Sequence, residues 1–125
     1  MDYKYSAHQK LKQKRQIDLL FTKGKWTSCG NLRVISLDLD RKPQEGSELL
    51  GPKTGVSVSK KLFKKAVHRN RVKRLLREAY RHHKPAFAAR FGENTLAMIF
   101  WISKEMPADF NAVQEDFLML CKPKN

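Results

Sequence analysis

The sequence predicts a mixed α/β fold with elements in the order α-β-β-β-α-β-α. Three observations carry that expectation. Residues 31–40 and 54–60 alternate apolar and polar side chains with period two and hold β-branched residues, the pattern of strands with a covered face. Residues 68–83 and 110–121 instead repeat apolar side chains every three or four positions, as helices do. The full 125 residues fit one domain, 1–125, and a hydrophobic content of 41% supplies side chains for one core.

Residues 1–10 are polar, lack periodicity and are expected to form a flexible basic arm. A helix is expected over 11–22, where Ile17, Leu20 and Phe21 share one face, and Gly24 ends it with Lys23 in the last turn. The tetrapeptide KWTS before residue 31 can add a short strand. In 31–40, Leu32, Val34, Ser36 and Asp38 fall on one side and Arg33, Ile35, Leu37 and Leu39 on the other. Pro43 and Gly46 mark 41–48 as a loop. The next strand, 54–60, sets Val56 and Val58 against Ser57 and Ser59. A separate turn is expected over 61–67. In an unbroken helix, Leu62, Phe63, Ala66 and Val67 would project among cations, so the main helix should start near Val67 or His68. Gly92 and Asn94 punctuate the chain, and TLAMIFWI (95–102) reads as a central strand buried on both faces. Asp109, or Asn111, caps a last helix with the stripe Phe110, Val113, Phe117, Leu120 and Cys121.

Charge narrows the function. The net charge is +14, and residues 60–84 contribute +10 of it through eleven Lys/Arg and one acid, Glu78. A folded domain that basic calls for a polyanionic partner. On a helical wheel, Val72, Leu75, Leu76, Ala79 and Tyr80 form an apolar arc, and Arg69, Lys73, Arg77, Arg74 and Arg81 an adjoining cationic one that includes Asn70. Arg71 stands off to the other side. Ordinary solvated helix faces mix signs, whereas Arg69, Lys73 and Arg77 repeat one sign at i+4, which costs roughly 0.2–0.5 kcal/mol per pair unless phosphates lie against them. Arg forks bind phosphate oxygens, and Asn70 offers a neutral donor and acceptor for a 2′-hydroxyl, phosphate, base edge or hydrated ion.

Other chemistries find little support. His68, His82 and His83 have no Cys or carboxylate pair at zinc-ligand spacing and suit phosphate donation or helix-end charge better. Glu78 suits an ion pair with Arg74, Arg81 or His82 better than general base catalysis. No phosphate loop, nucleophile elbow or hydrolase triad is present. The acids avoid the basic face, so no magnesium-binding nuclease centre, catalytic residue or tightly bound cofactor is expected. Cys29 and Cys121 are far apart and read as thiols of a reducing cytoplasm. No signal peptide is apparent, the longest apolar run is too short to span a bilayer, and no membrane partner is expected.

The segment GVSVSKKLFKKAVHRNRVKRLLREAYR (55–81) resembles the protein subunit of bacterial ribonuclease P. Ser57, Ser59, Lys60, Lys61, Ala66, Arg69, Asn70, Arg71, Lys73, Arg74 and Arg77 match that family's Ser-x-Ser-Lys-Lys and Arg-Asn-Arg signature. LKQKRQIDLLFTKGK (11–25) resembles its first helix. The resemblance implies a two-layer sandwich like one domain of ribosomal protein S5, with a left-handed β-α-β crossover. It implies binding to ribonuclease P RNA and to precursor tRNA, removal of the 5′ leader, and Mg2+ held by the RNA rather than the protein. It implies RNA contacts at Arg69, Asn70, Arg71, Lys73, Arg74 and Arg77, and a leader cleft lined or flanked by Phe21, Ser57, Lys60, Lys61, Ile17 and Ile35. Ile17 and Ile35 stand where relatives carry aromatics, which leaves Phe21 as the main base-stacking candidate and Trp26 as a second; core packing is the ordinary alternative for both. A ribosomal protein or RNA chaperone fits the signature less well. A DNA-binding regulator would need a helix-turn-helix or zipper context, so no DNA partner is expected.

Overall fold

The computed structural model describes residues 14–41 and 53–122. Eight elements follow one another: α1 (Lys14–Lys23), β1 (Lys25–Cys29), β2 (Leu32–Asp38), β3 (Lys53–Val58), α2 (Ala66–His82), α3 (Lys84–Phe91), β4 (Thr95–Trp101) and α4 (Phe110–Leu120). The seven expected elements are all present. The addition is α3, hidden because KPAFAARF follows the basic helix with only His83 between them. Pro85 sits in its first turn, where a missing N–H costs nothing, and the chain changes direction there. The expected arm (1–10), the start of the first helix and the loop beyond Arg41 lie outside the described residues.

The strands form one sheet in the order β1-β2-β4-β3. β1 and β2 pair antiparallel, as do β2 and β4, whereas β3 and β4 are parallel neighbours joined through α2 and α3. A two-residue turn, Gly30-Asn31, links β1 to β2, and Gly30 takes φ +56°, a conformation that glycine adopts without strain. Asp116 of α4 holds this turn, its Oδ2 accepting from the Asn31 backbone N–H (3.2 Å) and from Asn31 Nδ2 (3.1 Å).

Period two sorts the apolar side chains between two cores. Leu32, Val34, Val58, Ala97, Ile99 and Trp101 meet Val72, Leu76, Val113 and Phe117 on the face covered by α2, α3 and α4. Ile35, Leu37, Leu39 and Leu96 meet Leu20 on the opposite face, beneath α1. The bulk of the core is thus a sheet backed by helices, and among the described elements α1 crosses the other side. Gly24 lets the chain turn sharply out of α1. Its N–H donates to the Leu20 carbonyl at 2.7 Å, and a Cβ there would lie 2.7 Å from Ile35 Cγ1. At the far end of the chain Asp109 caps α4 as expected, its carboxylate accepting from the Ala112 N–H at 3.0 Å.

The expectation that β4 is buried on both faces needs correction at one end. Met98 and Phe100 are only half-buried, at the edge of the cluster that α1 makes with the sheet. That half-covered end is one part of a surface formed with α1 and β1. Among the described residues, no helix is long and apolar enough to cross a membrane.

Candidate nucleic-acid interface

The turn between β3 and α2 is built by three local devices. Ser59 starts it: its carbonyl accepts from the Leu62 and Phe63 N–H groups, and its hydroxyl accepts from the Lys61 N–H at 3.1 Å. Phe63 then drops into the core, which anchors the turn by burial. Arg69 closes it from the helix side, one η nitrogen donating to the carbonyls of Phe63 and Lys64 at 2.8 Å each. The expected break before the main helix is therefore present, and α2 starts one residue earlier than expected, at Ala66.

This turn displays cations outward. Lys60, Lys61, Lys64 and Lys65 are all exposed. Along α2, Val72, Leu76, Ala79 and Tyr80 are buried and Leu75 is half-buried, which is the apolar arc read from the sequence. Asn70, Arg71, Arg74 and Arg77 are exposed, and Lys73 is half-buried. Arg69 differs from its neighbours, since it is half-buried and one of its nitrogens is committed to the turn. Glu78 pairs with Arg81 and, at 3.3 Å, with His82. The single acid of the helix thus neutralises its C-terminal end, and among the described residues it leaves the row from Asn70 to Arg77 uncompensated. His83 turns inward instead, its ring nitrogen 2.7 Å from Gln114 Oε1 of α4.

A second surface lies on the sheet face that carries α1. Register places Trp26, Arg33, Phe100 and Ser57 on that face: Ser28 pairs with Arg33, Arg33 with Phe100, and Ser57 with Phe100. Phe21, from the last turns of α1, reaches the same spot. Ring centroids are 5.9 Å apart for Phe21 and Trp26, 5.6 Å for Trp26 and Phe100, and 6.2 Å for Phe21 and Phe100. The Arg33 guanidinium sits 4.1 Å from the Trp26 ring centroid. Phe21 remains 45% exposed and Trp26 40%, so both rings pack against each other and still offer faces to solvent. Three clustered aromatics with a guanidinium on top make a platform whose geometry could stack unpaired bases.

The remaining sequence candidates divide between the two surfaces. Ser57 is half-buried beside Phe100, and Lys60 and Lys61 follow just past the end of β3. Ile17 is half-buried where α1 meets the sheet. Ile35 is a correction: it has no exposed surface and seats α1, so it offers nothing to a bound strand. Sequence reasoning missed Phe100 and Arg33. Their signal was the register, since Phe100 falls on the same face as Met98 and Arg33 pairs with it, but an unbroken apolar run hides which end of β4 is covered. Among the described residues, no three His, Cys, Asp or Glu side chains converge in a way that would hold a metal ion.

Comparisons with known proteins bear on the family and on the fold. The family model for ribonuclease P matches residues 5–124. The chain is 37% identical over 114 residues to the ribonuclease P protein component of Porphyromonas gingivalis, covering 87% of this chain and 77% of that protein. It is 38% identical over 81 residues to that of Microcystis aeruginosa, covering 64% of this chain and 63% of the relative. The fold is similar to that of the ribonuclease P protein from Thermotoga maritima, with a TM-score of 0.69 at 22% identity over 93% of this chain and 98% of that one. The Staphylococcus aureus protein gives a TM-score of 0.68 at 20% identity over 90% and 91%. With the family model matched along nearly the whole chain and a relative at 37% identity, the chain belongs to the ribonuclease P protein family, the protein components of a tRNA-processing ribonucleoprotein endoribonuclease.

Proposed function

We propose that the chain divides its two surfaces between two RNAs. The row Asn70, Arg71, Lys73, Arg74 and Arg77 lies against the ribonuclease P RNA, with Arg69 shaping the turn at its start and using its remaining nitrogens there. The platform of Phe21, Trp26 and Phe100 takes the single-stranded 5′ leader of precursor tRNA. Ser57, Lys60 and Lys61 flank the leader's phosphates, and Ile17 supports α1 at the rim. The observation that supports this most is the placement of the platform and the row on either side of the β3–α2 turn, which would let one protein touch structured RNA and a single strand at once.

The chemistry stays with the RNA in this reading. The RNA would hold the magnesium ions, which would supply an activated water and stabilisation of the leaving oxygen. The protein contributes charge and position: it lowers repulsion between two polyanions and fixes the leader relative to the cleavage site. Because Ile17 is aliphatic and Ile35 is buried, stacking on the leader shifts toward Phe21 and Trp26, with Arg33 adding a cation over the Trp26 ring.

The test is discrimination between precursor and mature tRNA by the reconstituted holoenzyme. Stacking contributes about 1–3 kcal/mol per base, so Phe21→Ala with Trp26→Ala should weaken precursor binding by roughly 10- to 100-fold and leave mature tRNA binding unchanged. Equal weakening of both, or of neither, would contradict the leader assignment.

A further inference from the structure

A third basic surface lies away from both of those. A cavity of about 620 Å3 opens between the end of α1 and start of β1, the second half of β2, and the last turn of α3. Lys23, Lys25, Arg41 and Arg90 line it, with Asp38 and Phe91. Lys25 and Thr27 pair in register with Ser36 and Val34, which puts this cavity on the helix-backed face of the sheet, opposite the aromatic platform. It also lies near the Thr95 end of β4, because Asp38 pairs with Thr95, whereas the β3–α2 turn follows Val58, the partner of Trp101 at the other end.

Among the described residues, these cations lack counterions. No ion pair joins Asp38 to any of the four; its Oδ1 instead accepts from the Asp40 N–H at 3.0 Å. Helix ends account for two of them, since Lys23 and Arg90 sit in the last turns of α1 and α3 where a cation is favoured. Lys25 and Arg41 have no such reason. Arg90 carries a further signal: its Nε is buried with no hydrogen-bond partner among the described residues, and its guanidinium lies 4.8 Å from the Phe91 ring centroid. A buried donor without an acceptor calls for one. The cavity is of a size that takes a nucleotide-sized group, and its chemistry selects oxyanions.

We propose that this cavity is a second RNA-docking site, which takes phosphodiester groups of a strand outside the contacts of α2 and of the aromatic platform. The proposal rests on RNA being the partner of this family. The phosphates come from either the RNA subunit or the body of precursor tRNA, and the two sources are separable by experiment.

The variants are Lys25→Gln with Arg41→Gln, both at exposed positions that leave the core intact, and the triple variant that adds Arg90→Gln. Two arms are measured across a salt series: binding of the protein to ribonuclease P RNA alone, and binding of precursor tRNA to the assembled holoenzyme. Each phosphate left without its cation lowers the slope of log K against log salt by roughly 0.7–0.9. The double variant is expected to lose roughly 1.5 units of slope and about tenfold in affinity in one arm, the triple variant more, and the affected arm names the source. A chain with Lys73→Gln and Arg77→Gln serves as reference. If that chain loses slope and the cavity variants lose none in either arm, the cavity proposal falls and the reading of α2 stands. If neither changes the slope, both fall.

Discussion

Replacing Arg69 should do more damage through the folded protein than through its share of RNA binding. Its guanidinium donates to two carbonyls, Phe63 and Lys64, at 2.8 Å each, from a half-buried position. Hydrogen bonds from a charged donor contribute about 1.5–3 kcal/mol each, and the carbonyl of exposed Lys64 regains water when the bond is removed, so a net cost of about 2 kcal/mol is expected for Arg69→Ala. For a domain of this size that corresponds to a fall in Tm of roughly 6–10 °C. The loss should be local first, with faster hydrogen exchange at Leu62 and Phe63, whose N–H groups close the turn on Ser59. Arg69→Lys keeps the charge on a side chain one bond shorter, which falls short of the two carbonyls that the η nitrogen reaches, so it should recover the salt dependence of RNA binding and little of the stability. Thermal melts of the free protein and hydrogen exchange with mass spectrometry give both readouts. An Arg69→Ala protein with unchanged Tm and unchanged exchange over 60–66 would refute the clamp and return Arg69 to the row as an ordinary phosphate ligand.

Other outcomes follow from the same geometry. Asp116→Ala should cost about 1–2 kcal/mol, because the Asn31 N–H and side chain both lose a charged acceptor at the β1–β2 turn, and urea unfolding measures it. Lys73→Gln with Arg77→Gln should lower the salt slope of RNA binding by roughly 1.5 units with stability unchanged or improved, since same-sign neighbours at i+4 are removed. Burial pushes the Cys121 thiol up from 9.0 to about 12, against a smaller opposing pull from Arg90. Its proton is held more tightly in the folded chain than in the unfolded one, so that contribution is complete below about pH 9 and is lost as pH rises toward 12. Burial raises Tyr80 as well, against a bond to Thr54, and acts with the same sign. Unfolding free energies measured between about pH 8 and 11 should therefore decline, less steeply in a Cys121→Ala protein; an equal decline in both would contradict the assignment.

The sequence showed its architecture wherever period and chemistry coincide. Alternation in 31–40 separated Val34 from Ile35 correctly, and those two residues do end in different cores. The clash of apolar and cationic faces located the break before α2 within one residue. Composition hid α3, because three alanines and two phenylalanines in KPAFAARF have little amphipathic contrast, and the helix follows α2 with a single residue between them. The cationic row was legible because its residues share one helix. The platform was less so, since Phe21, Trp26, Arg33 and Phe100 come from four elements and meet only through strand register. Ile35 shows the same limit from the other side: alternation gave its face, but only the placement of α1 decided that this face is covered there. Arg69 was readable as a cation and not as a clamp, because the carbonyls it holds belong to a turn whose path no local pattern specifies.

Reconstitution tests the central claim most directly. The purified chain is mixed with a bacterial ribonuclease P RNA and precursor tRNA at low magnesium, and release of the 5′ leader is followed. Cleavage should require both protein and RNA, and it should fall with Lys73→Gln and Arg77→Gln through RNA binding, and with Phe21→Ala and Trp26→Ala through precursor affinity. Tight binding of the RNA with no gain in cleavage would contradict the division of the two surfaces between catalytic RNA and leader.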